Sequence, residues 1–401
     1  MSGSRPLPTT GATAESLHRR VEFLLFSAGW GANHFASMLI VYRKELGLGP
    51  AALGQLFGAY ALGLVPGLIL AGRWSDRWGR RLVLPAGAVA IVASALLAFG
   101  RHGFYVLLAG RLLYGLAMGC MMSPGSVWVQ ELSAAELGPR RATLALSAGF
   151  GLGPLASGAL AEFAPAPLIL PYVAHALVMA LGLAAARSVP ETAQLKPATG
   201  TPGEAPSAAP AFGWTELSML APLLPSAPWA FGLPSVSMVV LPALMRPFVA
   251  RPVLYSALVT AATLFTGVLI QPFTSRLGRR ADVIGLGLGA LGILLGAFAV
   301  AVRAPSLVFA VALLVGAGYG IVMTTGLRYV SQRAPQQTRG TVVGLYYVLT
   351  YVGFALPFVY ALAAQALGDV RTLQFTALLA FGCLALRVLL DGRAAPAPLT
   401  R

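Results

Sequence analysis

Charged residues are scarce in this chain: Asp, Glu, Lys and Arg together make up 10% of its 401 residues, whereas hydrophobic residues make up 57%. Soluble domains carry about 25% charged residues. A water-soluble fold of this length would have too little polar surface to cover itself, and the mean hydropathy of +0.77 agrees with that view. The composition therefore predicts an integral membrane protein that crosses the bilayer many times.

Cysteines and acidic residues are also few. The two cysteines, Cys120 and Cys383, lie in apolar runs and match no disulfide or metal-ligand spacing. Thirteen acidic residues stand against 28 basic ones, which gives a formal charge of +15. The basic residues are scattered over many short segments, so no continuous basic face for nucleic acid is expected. No nucleotide-binding loop is present either, and the sequence predicts no metal, no cofactor and no nucleic-acid partner.

Long apolar runs fill most of the chain. A spanning helix needs about 20 largely apolar residues, because the hydrocarbon core is about 30 Å thick. None of the runs alternates polar and apolar residues as a barrel wall would, so helices are expected. The predicted fold is an all-α membrane protein with twelve transmembrane helices, at 22–42, 50–71, 82–100, 104–128, 142–163, 167–187, 220–245, 253–275, 282–302, 305–329, 340–364 and 372–390.

The basic residues of the short loops predict the orientation of these helices. If the N-terminus lies in the cytoplasm, 18 loop and tail basic residues fall on that side and 7 on the other. We therefore expect both termini in the cytoplasm and the chain in the plasma (inner) membrane. The first run is too long for a signal peptide and lacks a small-residue cleavage site, so it is expected to be a retained helix.

The two halves of the chain are related in sequence. The segment GRWSDRWGRR at 72–81 aligns with QPFTSRLGRR at 271–280, an offset of 199, and Arg141 aligns with Arg339 at an offset of 198. Internal repeats that enclose a binding site are a transporter design. The predicted domains are a cytoplasmic tail at 1–21, a six-helix bundle at 22–187, a cytoplasmic linker at 188–219, a second six-helix bundle at 220–391 and a tail at 392–401.

The loop GRWSDRWGRR resembles the hallmark loop of the major facilitator superfamily, which runs Gly, three variable residues, Asp-Arg, one variable residue and Gly-Arg-Arg. Twelve predicted helices, a central linker and a decayed second copy of the loop extend the resemblance over essentially the whole chain. It implies two pseudo-symmetric six-helix bundles that transport a small molecule by alternating access. The second copy has Ser275 where the first has Asp76, so an acid-dependent latch is expected in one half only.

The resemblance also implies a gating role for the loop. Asp76 is expected to lie against the N-terminal end of the eleventh helix, near residues 339–341, where the helix dipole favours an anion. Arg80 is expected to reach Glu131 at the end of the fourth helix, and these contacts would lock the halves in the outward-open state. A solvated loop that only fixes topology is the alternative. The predicted latch consists of Gly72, Asp76, Arg77, Gly79, Arg80, Arg81 and Glu131.

Two further patterns match the family. In GRLLYGLAMG of the fourth helix, Arg111 lies 7 residues inside the predicted helix end. A charge at that depth is costly and usually faces a cavity, although snorkelling to the surface is the alternative. In the fifth helix, Gly149, Gly153, Pro154 and Gly158 resemble the Gly-x-x-x-Gly-Pro signature of antiporter branches, with ordinary close packing as the alternative. The family pattern usually ends Gly-Gly, whereas Ser157 precedes Gly158 here.

Candidates for a substrate or proton path follow from the family's use of helices 1, 4, 7 and 10 around a cavity. They are Trp30, Asn33, His34, Arg111, Tyr114, Tyr319, Thr324 and Arg328. On the first helix, Trp30, Asn33, His34 and Ser37 have spacings that share one face. His34 can carry a proton near neutral pH, or it can hydrogen-bond to a neighbouring helix.

The other candidates carry weaker signals. Arg328 lies near the predicted cytoplasmic end of its helix and could be a simple anchor. Trp128 and Trp229 could form aromatic walls, although such residues more often serve packing. We expect His175, on the sixth helix, to be peripheral. Acidic residues lie only near helix ends, so a coupled proton would have to use His34, Glu22 or Glu131.

These observations predict a secondary active transporter, acting as a monomer, that exports a small organic solute in exchange for protons. Uptake or facilitated diffusion of a small metabolite, with Arg111 contacting an anionic group, is the alternative. A polytopic membrane enzyme is disfavoured because the four aspartates are far apart in sequence and cannot form a Mg²⁺ cluster of neighbouring acids. A channel is disfavoured because no charged ring or filter-like repeat is visible.

Overall fold

The computed structural model describes residues 11–134, 137–192, 218–334 and 339–393, with the side chains at 11–16, 72, 73, 76, 77, 139, 279, 339–341 and 391–393 outside the description. Fourteen α-helices, joined by short 3-10 segments, make up most of these ranges, and no β-strand occurs in them. The all-α fold predicted from the apolar runs is confirmed.

The first six helices follow the predicted order closely. They are α1 (Gly11–Leu46), α2 (Pro50–Trp78), α3 (Val83–Ala98), α4 (Phe104–Glu131), α5 (Gly138–Phe163) and α6 (Leu170–Ala186). Helix α1 begins 11 residues before its predicted start. Short 3-10 segments at Arg80–Leu82 and Gly100–His102 lead into α3 and α4. Gly103, with φ +125°, reverses the chain just before α4 in a conformation that favours glycine.

The later helices are more interrupted. They are α7 (Trp229–Ser235), α8 (Leu241–Met245), α9 (Pro252–Leu269), α10 (Ala281–Ala301), α11 (Leu307–Arg333), α12 (Arg339–Tyr351), α13 (Leu356–Leu367) and α14 (Asp369–Arg393). A π-helical turn at Val236–Val240 joins α7 to α8, and a 3-10 turn at Val352–Ala355 joins α12 to α13. The second copy of the charged loop forms a 3-10 segment at Gln271–Arg280, so the predicted span 253–275 ends early, at Leu269.

Eleven of the described segments are long and apolar enough to cross a membrane. The sixth predicted span forms the shorter apolar helix Leu170–Ala186, of 17 residues. The seventh predicted span, 220–245, begins its helix α7 only at Trp229, because residues 221–228 form a 3-10 segment and turns that hold three prolines, Pro222, Pro225 and Pro228. A π-helical turn then lies between Pro234 and Pro242. In the eleventh span, Pro357 follows the 3-10 turn at Val352–Ala355 and likewise supplies no backbone N–H.

The chain divides into two compact units. The first unit holds residues 1–48 and 59–199, and the second holds residues 49–58 and 200–401. In the first unit α1 packs against α5, α6 and α4, and α3 packs against α4 and α6. In the second unit α10 packs against α11 and α14, and α9 packs against α11. The bundle boundaries predicted from the sequence repeat stay a prediction.

Glycine brings α1 and α5 into backbone contact in the first unit. A Cβ atom on Gly149 would lie 2.1 Å from the carbonyl oxygen of Phe26, and one on Gly153 would lie 2.5 Å from that of Trp30. From the other side, a Cβ on Gly29 would lie 2.5 Å from the Leu146 carbonyl oxygen. Small residues drive helix association in lipid because they let backbones approach closely. The glycines of the fifth-helix pattern therefore form a packing surface for α1.

A buried ion pair fastens α10 to α14 in the second unit. The guanidinium Nε of Arg387 donates to a carboxylate oxygen of Asp282 at 2.6 Å, and the two side chains are only 5% and 3% exposed. Asp282 lies in the first turn of α10 and also accepts the backbone N–H of Val283 at 3.0 Å. Both charges are therefore paired where water is excluded, as buried charges require.

We expect Gly149→Ala to lower the free energy of unfolding by about 1–3 kcal/mol, because the new methyl group would overlap the α1 backbone. Thermal unfolding of the purified protein in detergent measures the effect. Gly382→Ala on α14 is the matched control, because no atom lies within 4 Å of a Cβ there. That control should be neutral or more stable by up to about 1 kcal/mol, the helix-propensity gain of alanine. Equal stability of the two variants would contradict the α1–α5 contact.

Candidate functional site

The charged loop between α2 and α3 forms an ion pair with the end of α4. The guanidinium of Arg80 donates to the Glu131 carboxylate through Nη2 at 3.0 Å and through Nε at 3.2 Å. Its Nη1 donates to the Ser75 hydroxyl at 2.7 Å. The expected contact between Arg80 and Glu131 is therefore present. Both residues belong to the first unit, so this pair fastens the loop to α4 within that unit.

Glu191, just after α6, holds the same loop through its backbone. The carboxylate accepts the N–H groups of Arg80 and Arg81, each at 2.9 Å. A Cβ on Gly79 would lie 2.3 Å from Glu191 Oε2, and Gly79 also has φ +84°. Glycine is therefore required at Gly79 by backbone conformation and by space. Sequence reasoning missed Glu191, although it is the only acidic residue between positions 163 and 203.

Of the remaining residues of the predicted latch, the structure describes the side chain of Arg81 only. Arg81 is exposed and donates through Nη2 to the carbonyl of Arg187 at 3.1 Å. The side chains of Asp76 and Arg77, the surroundings of Gly72 and the side chains at 339–341 lie outside the described part of the chain. A latch between Asp76 and the start of α12 therefore stays a prediction.

Arg111 lies at the centre of the first unit and is only 1% exposed. Its guanidinium carbon lies 4.2 Å from the ring centre of Phe35 and 4.7 Å from that of Tyr60. Such cation–π contacts stabilise a guanidinium that has left water. The snorkelling alternative is wrong, because the side chain is buried among these rings and does not reach a surface.

His34 is fully buried beside this arginine. Its ring centre lies 4.9 Å from that of Tyr172 and 5.0 Å from that of His175, edge to face in both cases. Neither ring nitrogen has a hydrogen-bond partner among the described residues. The structure therefore does not show the hydrogen bond to a neighbouring helix that was the simpler interpretation of His34.

His175 contradicts the expectation that it is peripheral, because it is fully buried at the junction of four helices. Its Nδ1 lies 2.8 Å from the Ser94 hydroxyl on α3. Its Nε2 lies 3.0 Å from the Ser27 carbonyl on α1 and 3.2 Å from the Tyr114 hydroxyl on α4. The position was misjudged because the sequence does not reveal which face of α6 packs inward. A histidine within an apolar helix was the available signal, as it was for His34.

Tyr114 and Gly31 complete this cluster. The Tyr114 hydroxyl donates to the Ala28 carbonyl at 3.0 Å. A Cβ on Gly31 would lie 1.9 Å from the Tyr114 hydroxyl and 2.5 Å from His175 Nε2. Helix α1 therefore leaves room for both side chains only because residue 31 is glycine. We call the set Arg111, His34, His175, Tyr114, Tyr172 and Ser94 the histidine cluster.

Two other residues of the face predicted for α1, Trp30 and Ser37, contact α5. The Trp30 indole N–H donates to Ser157 Oγ at 3.2 Å, and Ser37 Oγ donates to the Pro154 carbonyl at 3.0 Å. Asn33 is half-buried. The single shared face predicted for α1 is therefore divided between two neighbours. Ser157, which departs from the family's Gly-Gly ending, supplies the acceptor for Trp30, and Gly158 beside it is buried.

In the second unit the candidates of the tenth predicted helix lie on α11. Tyr319 is 8% exposed, and a Cβ on Gly267 would lie 1.9 Å from its ring. Thr324 is half-buried, and Arg328 is exposed, which agrees with the end-anchor alternative.

Two tryptophans considered as aromatic walls are buried, and Trp128 donates its indole N–H to the Pro190 carbonyl at 3.1 Å. Sequence reasoning missed an aromatic stack in the second unit. There the Phe231 ring lies 4.7 Å from Tyr351 and 5.0 Å from Phe354.

A polytopic helical membrane protein with polar side chains buried among its spanning helices is the class that this fold defines. The chain belongs to the Major Facilitator Superfamily, whose family model matches residues 21–357 and, in a second match, 234–399. The resemblance seen in the charged loop is thereby confirmed. Members of this superfamily are transporters and not enzymes.

Individual relatives are more distant. Quinolone resistance protein NorA of Staphylococcus aureus is 27% identical over 143 residues, a match that spans 35% of this chain and 37% of NorA. Among solved structures, a mutant of peptide transporter POT in complex with alafosfalin has a TM-score of 0.78 at 15% identity, covering 97% of this chain and 96% of that one. The nucleoside transporter NupG has a TM-score of 0.77 at 11% identity, covering 93% and 99%. These structural likenesses establish the fold.

We expect Glu191→Ala to speed tryptic cleavage after Arg80 and Arg81 several-fold, because the two backbone N–H groups lose their acceptor and the loop opens more often. Limited proteolysis of the purified protein, followed by mass spectrometry, measures the rate. Glu45→Ala is the matched control, since Glu45 is partly exposed and pairs with Lys44. Unchanged cleavage in the Glu191 variant would show that the carboxylate does not hold the loop.

Proposed function

We propose that the protein is a secondary active transporter of the plasma membrane that exports a small organic solute in exchange for protons. It works as a monomer, with both termini in the cytoplasm. The observation that carries this proposal is the histidine cluster: a buried cation and two buried imidazoles lie in stretches of α1, α4 and α6 that contain no acidic residue. Residues 23–44, 77–130 and 163–190 hold neither Asp nor Glu.

The charge of Arg111 supports exchange as the mode of coupling. Arg111 lies in the histidine cluster and is only 1% exposed, so any further positive charge that enters the cluster meets a buried cation. Two positive charges in a low-dielectric interior repel each other strongly. A proton and a cationic solute would therefore exclude each other from this region, and mutual exclusion between two ligands is what couples their movement in opposite directions.

Two further observations support export. The Gly149, Gly153 and Pro154 pattern resembles the antiporter branches of the superfamily, and here it sets the position of α1, which carries His34. A relative that matches part of the chain is a quinolone resistance protein by name. Resistance to a drug is readily produced by a transporter that moves it out of the cell.

The same cation favours one alternative function. An anionic solute that paired with Arg111 would cancel its charge and so favour a proton on the cluster. Solute and proton would then move together, and the protein would take up an anionic metabolite. The charge of the solute and the direction of proton movement therefore distinguish the two functions.

We expect a cationic or neutral solute to release protons from inside-out vesicles whose interior has been acidified. A pH-sensitive dye reports the change as cationic, neutral and anionic compounds are added to vesicles with and without the protein. Protein-dependent alkalinisation of the lumen by a cationic or neutral compound would support export in exchange for protons. Further acidification of the lumen by anionic compounds alone would favour the uptake alternative, because proton and solute would then enter the lumen together. Labelled solute crossing without any pH change would favour facilitated diffusion.

We expect Asp76→Asn to reduce transport at least about tenfold while membrane insertion stays normal, because removing the carboxylate removes the predicted interaction with a helix N-terminus. Ser275→Asn is the matched control, since Ser275 occupies the same repeat position in the second half. Its exposed hydroxyl donates to the Pro272 carbonyl at 3.5 Å. Normal transport by the Asp76 variant would remove the latch from the proposal.

A further inference from the structure

We propose that His175, and not His34, holds the coupled proton, and that Ser94 is the positioning residue that lets His175 exchange it. This inference rests on the proposed proton coupling and assigns it to a particular atom, Nδ1 of His175. The geometry around the imidazole ring satisfies every polar atom both with and without the additional proton.

In the neutral state, Nε2 of His175 carries the hydrogen. It donates to the Ser27 carbonyl at 3.0 Å, a group that can only accept. The Tyr114 oxygen lies 3.2 Å away and is also free to accept there, because its own hydrogen is donated to the Ala28 carbonyl at 3.0 Å. The opposite nitrogen, Nδ1, then has a lone pair and accepts from the Ser94 hydroxyl at 2.8 Å.

In the protonated state, the added hydrogen lies on Nδ1, and Ser94 reverses its role. Nδ1–H donates to Ser94 Oγ, and the hydroxyl hydrogen of Ser94 turns to the Ala90 carbonyl, which lies 3.0 Å from Oγ. One proton is gained by the ring, Ser94 keeps its own hydrogen, and no hydrogen bond is lost. The change requires rotation of one hydroxyl and no movement of a helix.

His34 lacks such an arrangement. Neither of its nitrogens has a hydrogen-bond partner among the described residues, and its ring is fully buried. An imidazolium there would be a buried charge without hydrogen bonds, which is far more costly than one with them. His34 instead presents its ring to His175 at 5.0 Å between centres.

The groups around His175 leave no competing base. Helix α1 contributes His34, α3 contributes Ser94, and α4 contributes Tyr114 with Arg111 behind it. Tyr172 lies on α6 itself. Helix α5 has no titratable residue between 142 and 161, and α3 has none between 83 and 98. With no carboxylate on these helices at this depth, the imidazole of His175 is the hydrogen-bonded acceptor available to a proton that enters the cluster.

A proton on His175 would strengthen the hydrogen bonding between the ring and α1. Through Nε2 and Tyr114, the ring engages the carbonyl groups of Ser27 and Ala28, one turn before Gly31. A positive ring strengthens a hydrogen bond to a carbonyl acceptor. Protonation and deprotonation of His175 therefore change the strength of the hydrogen bonds that attach α6 and α4 to α1. The same helix α1 packs against the glycines of α5.

Transport assays on three variants test the assignment. We expect His175→Gln to lose solute-driven proton release at least about tenfold while it retains solute counterflow, the exchange of labelled for unlabelled solute that needs no net proton movement, since glutamine can hydrogen-bond but cannot titrate. In His34→Gln the ratio of protons released to solute transported should stay within about twofold of the wild-type ratio, even where the transport rate falls. Proton release at the wild-type level from His175→Gln would overturn the proposal.

The role of Ser94 has its own readout. We expect Ser94→Ala to retain counterflow but to shift the pH profile of proton release, because the protonated ring loses its acceptor. Ser94→Thr should restore the profile, since it keeps the hydroxyl. A pH profile unchanged in Ser94→Ala would show that this hydroxyl has only a structural role.

A direct measurement separates this inference from the proposed function. The chain has only 4 histidines, so the ring nitrogens of ¹⁵N-histidine-labelled protein can be assigned by NMR with single His→Gln variants. From about pH 8 to about pH 4, the His175 ring should pass from the Nε2–H tautomer to the doubly protonated form while His34 stays neutral. Titration of His34 with His175 unchanged would overturn the assignment. Titration of His175 in a protein whose solute moves no protons would instead refute the proposed coupling.

Discussion

Backbone contact between α1 and α5 is the interaction on which the interior of the first unit depends. Without Cβ atoms at Gly29, Gly149 and Gly153, the two helices approach until backbone atoms touch. This fixes α1 at one edge, and its opposite side then meets α4 and α6, where Gly31 again leaves room for Tyr114 and His175. The buried polar side chains of Tyr114 and His175 are thereby held within hydrogen-bonding distance of each other and of the α1 backbone, where lipid would offer them no partner.

The two units fasten corresponding helices with opposite charges. In the first unit the carboxylate of Glu191, after the sixth predicted helix, holds the N–H groups that precede α3. In the second unit the guanidinium of Arg387, on the twelfth, holds the carboxylate of Asp282 at the start of α10. In both units the last predicted helix is thus attached to the start of the third, although the attaching residues, Glu191 and Arg387, differ in type. The two units therefore attach corresponding helices by different chemistry.

The sequence was sufficient for features that depend on composition and local spacing. The apolar runs located the spans, GRWSDRWGRR indicated the family, and Arg111 and His34 were recognisable as costly residues within apolar helices. Contacts between distant parts of the chain were beyond its reach. Ser94 and His175 are 81 residues apart, and Arg80 and Glu191 are 111 apart, so no periodicity relates them. Helix order around a bundle decides which face points inward, and this is why His175 was misplaced. The late start of the seventh span was foreseeable, because Pro222, Pro225 and Pro228 lie at its predicted beginning.

In the second unit, two spans contain turns that are not α-helical: a π-helical turn in the seventh and a 3-10 turn in the eleventh. In α4, α5 and the first-unit part of α2, a proline lies within the helix and the helix still runs continuously. In the second unit the 3-10 turn of the eleventh span lies directly against α7, because a Cβ on Gly353 would be 2.1 Å from the Pro228 carbonyl and 2.3 Å from the Gly232 nitrogen. Because the 3-10 turn and the start of α7 touch, a bend at either one displaces the other. Any bending of the second unit at these turns therefore involves both spans together.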